Sequence, residues 1–147
     1  MRIGYFADGP WSHKSFEKMV IEKNYHVVFI VARFENTDRT LEKYAKLYNI
    51  NFHIFRDINS EETIKLLSSY NADLFVSMSF NQIIKKNLLK LPRKGFINCH
   101  AGALPFYRGR NVLNWVLING EKRFGVTVHY IDEGIDTGDI IIQKLYD

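Results

Sequence analysis

The sequence predicts an α/β fold, in which a mostly parallel sheet carries helices on both faces. Short apolar runs alternate with segments whose apolar residues recur three and four positions apart, a pattern typical of strands between amphipathic helices. The chain has 147 residues, of which 46% are hydrophobic and 24% are charged. It therefore has the size and the apolar material for one domain with its own core.

Seven apolar runs are predicted strands. They span residues 2–7, 27–32, 52–55, 74–78, 95–100, 125–131 and 139–145. Ser12 and Ser60 are placed to cap helices that follow the first and third strands. A short helix is predicted over residues 81–89 and another over residues 111–118. In such folds ligands bind beyond the carboxyl ends of the parallel strands.

The distribution of charged residues indicates which kinds of partner the protein can bind. The formal net charge is +4 and the sequence pI is about 9.1, yet Lys and Arg are scattered and form no run of five. Nucleic-acid binders usually concentrate basic residues on one face. We therefore expect no nucleic-acid partner, and at most one local site for a phosphate-bearing small substrate.

The single cysteine, Cys99, excludes a disulfide framework, so a reducing cytoplasm is the expected compartment. The N-terminus lacks the apolar stretch of a signal peptide, and no window approaches the roughly 20 apolar residues of a membrane span. We therefore expect no membrane association.

The first candidate site is the pair Asn98 and His100. Successive side chains of a strand point to opposite faces, so these two share a face and Cys99 points the other way. The pair lies near the carboxyl end of the fifth strand. Taken alone, such a pair is more often a satisfied polar pair at a strand end. Cys99 is interpreted as a small buried hydrophobe.

The loop that follows contains Gly102, Pro105 and Gly109, which shape it as an irregular segment. Arg108 and Arg110 bring positive charge close to His100. Their planar forks of donors could clamp a phosphate or a carboxylate. Two solvent-facing arginines are the alternative.

A third segment, residues 125–139, runs from a strand into a loop rich in Asp and Gly that contains Asp136. Such loops are usually structural turns. The spacing of the acids does not match a calcium-binding loop, so no metal is expected. His129 lies on the strand among apolar residues and is assigned a structural role.

Together these segments resemble the folate-dependent formyltransferase family. The resemblance rests on Asn98-Cys99-His100, on Leu104-Pro105 with Tyr107-Arg108-Gly109, on Gly125-Val126-Thr127 and on Ile135-Asp136-Thr137-Gly138. It implies a Rossmann-like catalytic domain over residues 1–147, truncated at its C-terminus, because the family's domain continues with further helix and strand.

The resemblance implies an enzyme that takes a formyl group from 10-formyltetrahydrofolate without a metal. The family's catalytic residues fall on Asn98, His100 and Asp136. The Asn98 amide and a His100 ring N–H would donate to the formyl oxygen, and Asp136 would orient His100 and accept the proton of the amine. The residues expected to contact the folate are Ser79, Phe80, Asn81, Ile83, Ile131 and Gly134.

Residues 106–115 are most similar to the nucleotide-sugar N-formyltransferases, which serve the synthesis of surface polysaccharide such as lipopolysaccharide. The expected acceptor is therefore a nucleotide-linked amino sugar. The residues expected to contact it are Trp11, Tyr107, Arg108 and Arg110. Trp115 is expected in the core.

Other acceptors stay open. Residues 8–13 depart from the Gly/Ser-rich phosphate loop that the glycinamide ribonucleotide enzymes carry after their first strand. Methionyl-tRNA formylation, deformylation of the folate by water and a non-catalytic folate-binding fragment are the remaining alternatives. The sequence does not fix an oligomeric state, so a homodimer also stays open.

Overall fold

The computed structural model describes residues Met1–Asp147, which divide into two compact units, Met1–Phe96 and Ile97–Asp147. The elements of the first unit are β1 (Arg2–Ala7), α1 (Gly9–Glu17), a π-helical turn (Lys18–Glu22), β2 (His26–Ala32), α2 (Arg39–Leu47), β3 (Asn51–Ile54), α3 (Glu61–Ser69), β4 (Leu74–Met78) and α4 (Lys86–Leu89).

The strands of the first unit run parallel in the order β3-β2-β1-β4. Because β1 is central, it is buried on both faces. One face packs against α1 and α2 in a core made of Ile3, Tyr5, Ala7, Phe16, Val27, Ile30, Leu41 and Ala45.

The opposite face of β1 carries an aromatic cluster. Phe6 has its ring centroid 5.7 Å from Phe29, 5.3 Å from Phe75 and 4.9 Å from Phe96. Gly4 precedes this cluster on the strand, and a Cβ at that position would collide with the rings of Phe29 and Phe75. The glycine therefore makes room for the aromatic packing.

The second unit contains β5 (Phe96–His100, whose first residue belongs to the first unit), α5 (Val112–Ile118), β6 (Phe124–Tyr130) and β7 (Ile140–Tyr146). β5 pairs with β6 and β6 with β7, both antiparallel. In the first pair Asn98 lies opposite His129, and His100 opposite Thr127. The Leu104–Pro105 peptide bond is cis.

The predicted α/β fold class is confirmed, and each of the seven predicted strands is present within one or two residues of its expected bounds. No helix of the structure is both long enough and apolar enough to span a membrane.

Two helix predictions are wrong in detail. Helix α1 begins at Gly9 rather than after Ser12, because Pro10 occupies its first turn and Asp8 its N-cap position. The Ser12 hydroxyl instead donates to the Gly9 carbonyl at 2.7 Å. The predicted helix over residues 81–89 is limited to α4, because distant side chains hold the segment before it. Ser60 caps α3 as predicted and accepts from the Thr63 N–H at 3.2 Å.

Asp38 connects the start of two helices. One carboxylate oxygen caps α2 by accepting from the N–H groups of Thr40 and Leu41 at 2.9 and 3.1 Å. The other accepts from the Gly9 N–H at 2.8 Å and lies 2.7 Å from Nε2 of His13. Burial alone would raise the pKa of Asp38, but these bonds outweigh it and leave the pKa below its usual value.

We expect Asp38→Ala to lower the free energy of unfolding by about 2 kcal/mol, because it removes the cap of α2 and leaves the Gly9 N–H without its acceptor. Urea denaturation measures this loss. Glu35→Ala is the matched control, an exposed acid in the same loop, and should change stability by less than about 0.5 kcal/mol. Equal effects of the two variants would contradict the assignment.

Candidate active site

β5 presents Asn98 and His100 to one cluster of polar side chains. The Asn98 amide lies 3.4 Å from Nε2 of His129, and Nδ1 of His100 lies 3.5 Å from the Asp136 carboxylate. His100 is 7% exposed. Cys99, between them on the strand, is a free cysteine. Burial raises the pKa of its thiol, which disfavours the nucleophilic thiolate.

Asp136 lies in the loop between β6 and β7, with a left-handed backbone (φ 51°) that Asp tolerates better than most residues. Asp132 organises this loop by accepting from the Gly134 N–H at 3.0 Å and from the Thr137 hydroxyl. The Gly109 N–H donates to Oδ2 of Asp136 at 2.8 Å. A backbone N–H thus holds this carboxylate independently of the histidine side chains.

Two imidazoles flank this carboxylate, one at each oxygen. Nδ1 of His100 lies 3.5 Å from Oδ2, and Nε2 of His129 lies 3.4 Å from Oδ1. Both distances are those of ion pairs rather than of the shortest hydrogen bonds. We call Asp136 and these two histidines the Asp136 cluster.

The electrostatics of the Asp136 cluster favour an ion pair. Burial acts against charge on Asp136, but contacts from His129, Gly109 and His100 outweigh it, so the pKa of Asp136 lies below its usual value. Burial likewise acts against charge on His129, and the contact with Asp136 reverses this and raises the pKa of His129. The two directions agree on an anionic Asp136 beside a cationic His129.

The amide nitrogen of Asn98 faces the His129 ring. Nδ1 of His129 donates to the Tyr130 carbonyl at 2.8 Å, because a carbonyl only accepts. Nδ2 of Asn98 is the amide atom that lies 3.4 Å from Nε2 of His129, and this NH₂ group carries two hydrogens. At most one of these hydrogens can be directed at that ring nitrogen, so the other is available to a further acceptor.

His100 differs from the sequence expectation. Its Nε2 donates to the Tyr107 carbonyl, so this N–H is not offered to a formyl oxygen in the present conformation. The loop that supplies the carbonyl bends closely over the ring, because Gly102 permits an approach that any Cβ would block. Of the two predicted donors, Asn98 is the one whose hydrogens are not directed at the Tyr107 carbonyl.

The buried Thr127 on β6 anchors the same loop. Its hydroxyl donates to the Gly102 carbonyl at 2.7 Å and accepts from the Leu104 N–H at 3.4 Å. Gln143 on β7 donates to the Leu104 carbonyl and to this hydroxyl, both at 2.9 Å. Two strands thus fix the loop that carries Tyr107 and Gly109 to the Asp136 cluster.

The residues predicted to contact the acceptor lie on the surface. Arg108 and Arg110 are exposed, and Trp11 on α1 is 75% exposed. The Tyr107 hydroxyl donates to Glu121 at 2.7 Å, so its polar end already has a partner. Trp115 is 56% exposed, and its assignment to the core is wrong because α5 buries Val112 and Val116 instead.

The residues predicted to contact the folate belong to both units. Those that follow β4 lie in the first unit, and those that follow β6 lie in the second. The first set is Ser79, Phe80, Asn81 and Ile83, and the second is Ile131 and Gly134.

His129 is the residue whose contacts the sequence analysis missed. Its apolar neighbours along the strand predict a structural role. The signal that could have found it is the pairing of the strands, since Asn98 lies directly opposite His129. That register follows from two segments about thirty residues apart and is not visible in either one.

We expect His129→Gln to raise the pKa of Asp136 toward its ordinary value, because the cation beside the carboxylate is lost. A carbon-13 NMR titration of the Asp136 carboxyl group measures this change. His53→Gln, in the first unit, is the control and should leave the titration unchanged. An unaltered Asp136 titration in His129→Gln would contradict the ion pair.

The same pair sets a pH window for stability. The stabilisation from Asp136 is lost as pH falls through its lowered pKa, and that from His129 is lost as pH rises through its raised pKa. The gap in unfolding free energy between the wild type and His129→Gln should therefore be widest between about pH 4 and about pH 6.5. A gap that widens outside this window would contradict the assignment.

The chain is similar in sequence to two kinds of formyltransferase. A methionyl-tRNA formyltransferase of Agathobacter rectalis is 44% identical over 153 residues, covering 98% of this chain and 49% of that protein. A GDP-perosamine N-formyltransferase of Brucella melitensis is 38% identical over 112 residues, covering 76% of this chain and 43% of that protein. The chain thus spans less than half the length of these relatives.

Solved structures show the same fold. A phosphoribosylglycinamide formyltransferase from Bacillus halodurans superposes with a TM-score of 0.84 at 21% identity, covering 99% of this chain and 79% of that chain. A sugar 3N-formyl transferase, solved in the presence of dTDP and 5-N-formyl-THF, superposes with a TM-score of 0.73 at 27% identity, covering 99% of this chain and 52% of that chain. A family model described as formyl transferase matches residues 18–147. The chain therefore belongs to the formyl transferase family.

Proposed function

We propose that this chain carries the catalytic site of a formyltransferase that uses 10-formyltetrahydrofolate and acts on the amine of a nucleotide-linked amino sugar. The observation that carries the proposal is the assembly of Asn98, His100 and Asp136 in a member of this family, with Nδ1 of His100 3.5 Å from the Asp136 carboxylate.

Asn98 stabilises the charge that develops during transfer. As the acceptor nitrogen bonds to the formyl carbon, negative charge builds on the formyl oxygen. An amide hydrogen of Asn98 that is not directed at His129 donates to that oxygen. One donor of this kind is worth about 100- to 1,000-fold in rate.

Asp136 moves the proton that the amine loses during transfer. The attacking amine loses a proton when its bond to carbon forms, and the folate nitrogen needs one when its bond to the formyl carbon breaks. The ionised Asp136 accepts the first proton and then donates a proton to the leaving nitrogen, while Nδ1 of His100 stays beside the carboxylate. Positioned proton transfer typically adds about 100- to 10,000-fold in rate.

Three observations support a nucleotide-sugar acceptor. Arg108 and Arg110 are exposed on the loop that contacts the Asp136 cluster through Gly109, where they suit a diphosphate. The exposed Trp11 offers an aromatic face to a sugar or a base. The sugar 3N-formyl transferase is a solved structure with this fold, and it was determined in the presence of a nucleoside diphosphate.

The start of α1 argues against glycinamide ribonucleotide as the acceptor. A helix N-terminus with free N–H groups binds phosphate readily. Here the Gly9 N–H donates to the Asp38 carboxylate at 2.8 Å. An internal carboxylate thus takes the position that a phosphate would need.

Charged initiator tRNA is the second candidate acceptor. It is favoured by the relative with the highest identity mentioned above, a methionyl-tRNA formyltransferase that matches over 98% of this chain. Against it, Lys and Arg are scattered along this sequence and form no run of five, whereas a polymer of phosphates favours clustered basic residues.

An acceptor panel tests the proposal. The chain is incubated with 10-formyltetrahydrofolate and, in turn, with nucleotide-linked amino sugars, the same sugars without their nucleotide, glycinamide ribonucleotide and charged initiator tRNA. We expect formamide formation with a nucleotide-linked sugar, and at least about tenfold lower kcat/KM without the nucleotide, because the arginine contacts are lost.

The other outcomes are equally informative. Transfer to tRNA alone would replace the proposed acceptor with the second candidate. Release of formate with water as the sole acceptor would indicate a hydrolase. Binding of the folate without turnover on any member of the panel would contradict catalysis by this chain.

A further inference from the structure

The segment that follows β4, residues 79–83, is held in place by side chains from elsewhere in the first unit. It has no regular secondary structure, and Ser79 adopts a left-handed backbone with φ 58°. Such a conformation is unusual for a residue other than Gly and persists where the surroundings stabilise it. The contacts that do so identify the residues on which this segment depends.

Its far end is fixed by two amides. Gln82 donates to the Phe55 carbonyl at 2.9 Å and accepts from the Ile58 N–H at 3.0 Å. Asn59 donates to the Ile83 carbonyl at 2.9 Å. These bonds replace the helical bonds that residues 81–85 would otherwise make.

The near end of residues 79–83 is fixed by the Arg33 side chain and by the Phe80 ring. Nη2 of Arg33 donates to the Ser79 carbonyl. The Phe80 ring packs edge-on against Phe6 in the aromatic cluster, with centroids 5.6 Å apart. The side chain of Phe80 therefore acts as an anchor, which leaves the backbone of the segment as its recognition surface.

Arg33 is itself positioned by Asp8. Nε of Arg33 lies 3.3 Å from Oδ2 of Asp8, although the N–H is not aligned for a hydrogen bond. Asp8, Arg33 and Ser79 are the first residues after β1, β2 and β4. Because β1 lies between the other two strands, the guanidinium spans the carboxyl end of the central strand.

We propose that Arg33 is a positioning residue for the formyl donor, because it fixes the Ser79 carbonyl and with it the backbone of residues 79–83. This inference rests on the proposed function, in which that segment contacts the folate. Arg33 acts through Ser79 and does not touch the reacting atoms. A planar guanidinium is suited to this task, since it can face a carbonyl and a carboxylate at once.

The test uses the dissociation constant of 5-formyltetrahydrofolate, a folate that does not donate its formyl group in the assay. We expect Arg33→Gln to raise this constant about tenfold, and to raise the KM of the formyl donor equally. The kcat at saturating donor and the KM of the acceptor should stay within about twofold of wild type. A purely structural defect would change all of these together.

Two variants complete the design. Arg39→Gln is the matched control, an exposed arginine that pairs only with Glu42 on α2, and it should leave folate binding unchanged. Arg33→Lys keeps a charged donor within reach of the Ser79 carbonyl and should recover most of the lost affinity. If Arg33→Gln does not fold, Arg33→Lys supplies the test instead. The KM of Arg33→Lys for the formyl donor should then exceed the wild-type value, while its urea midpoint matches that of Arg39→Gln.

Two outcomes would overturn the inference. One is a 5-formyltetrahydrofolate dissociation constant within twofold of wild type in folded Arg33→Gln. The other is a loss of affinity that accompanies an equal loss for the acceptor. Failure of the wild-type chain to bind 5-formyltetrahydrofolate would instead contradict the proposed function itself, so the two failures are distinguishable.

Discussion

The candidate site depends on one interaction, the placement of the Asp136 carboxylate between two imidazoles. The Gly109 N–H fixes one oxygen at 2.8 Å, and His129 supplies a cation at the other. Burial acts to raise the pKa of Asp136, and the contacts with His129, Gly109 and His100 oppose it. The contact with His129 therefore lowers the pKa of Asp136 and favours its ionised form.

The antiparallel strands of the second unit make this placement possible. The pairing of β5 with β6 sets Asn98 opposite His129, while Thr127 and Gln143 hold the loop that brings Gly109 to the carboxylate. Each of these contacts joins residues that are far apart in the chain. The site is thus a product of strand register, and its geometry is inherited from the sheet rather than from any single motif.

Much of this could be predicted from the sequence where the signal is local. Strand alternation placed Asn98 and His100 on one face, and apolar periodicity located all seven strands. The failures have a common cause. The start of α1 depends on Asp38, nearly thirty residues away, and the irregular residues 81–85 depend on Asn59 and on the Phe55 carbonyl. Contacts between distant residues override local helix signals in both cases.

The central claim is that an ionised carboxylate at Asp136 is required for formyl transfer. The most direct measurement is the rate of transfer from a carbon-13-labelled formyl donor in Asp136→Asn, beside Asp139→Asn as an exposed control in the same loop. We predict a loss of at least about 100-fold in Asp136→Asn, with binding of 5-formyltetrahydrofolate retained, and little change in the control. Transfer by Asp136→Asn at a rate close to wild type would contradict the claim.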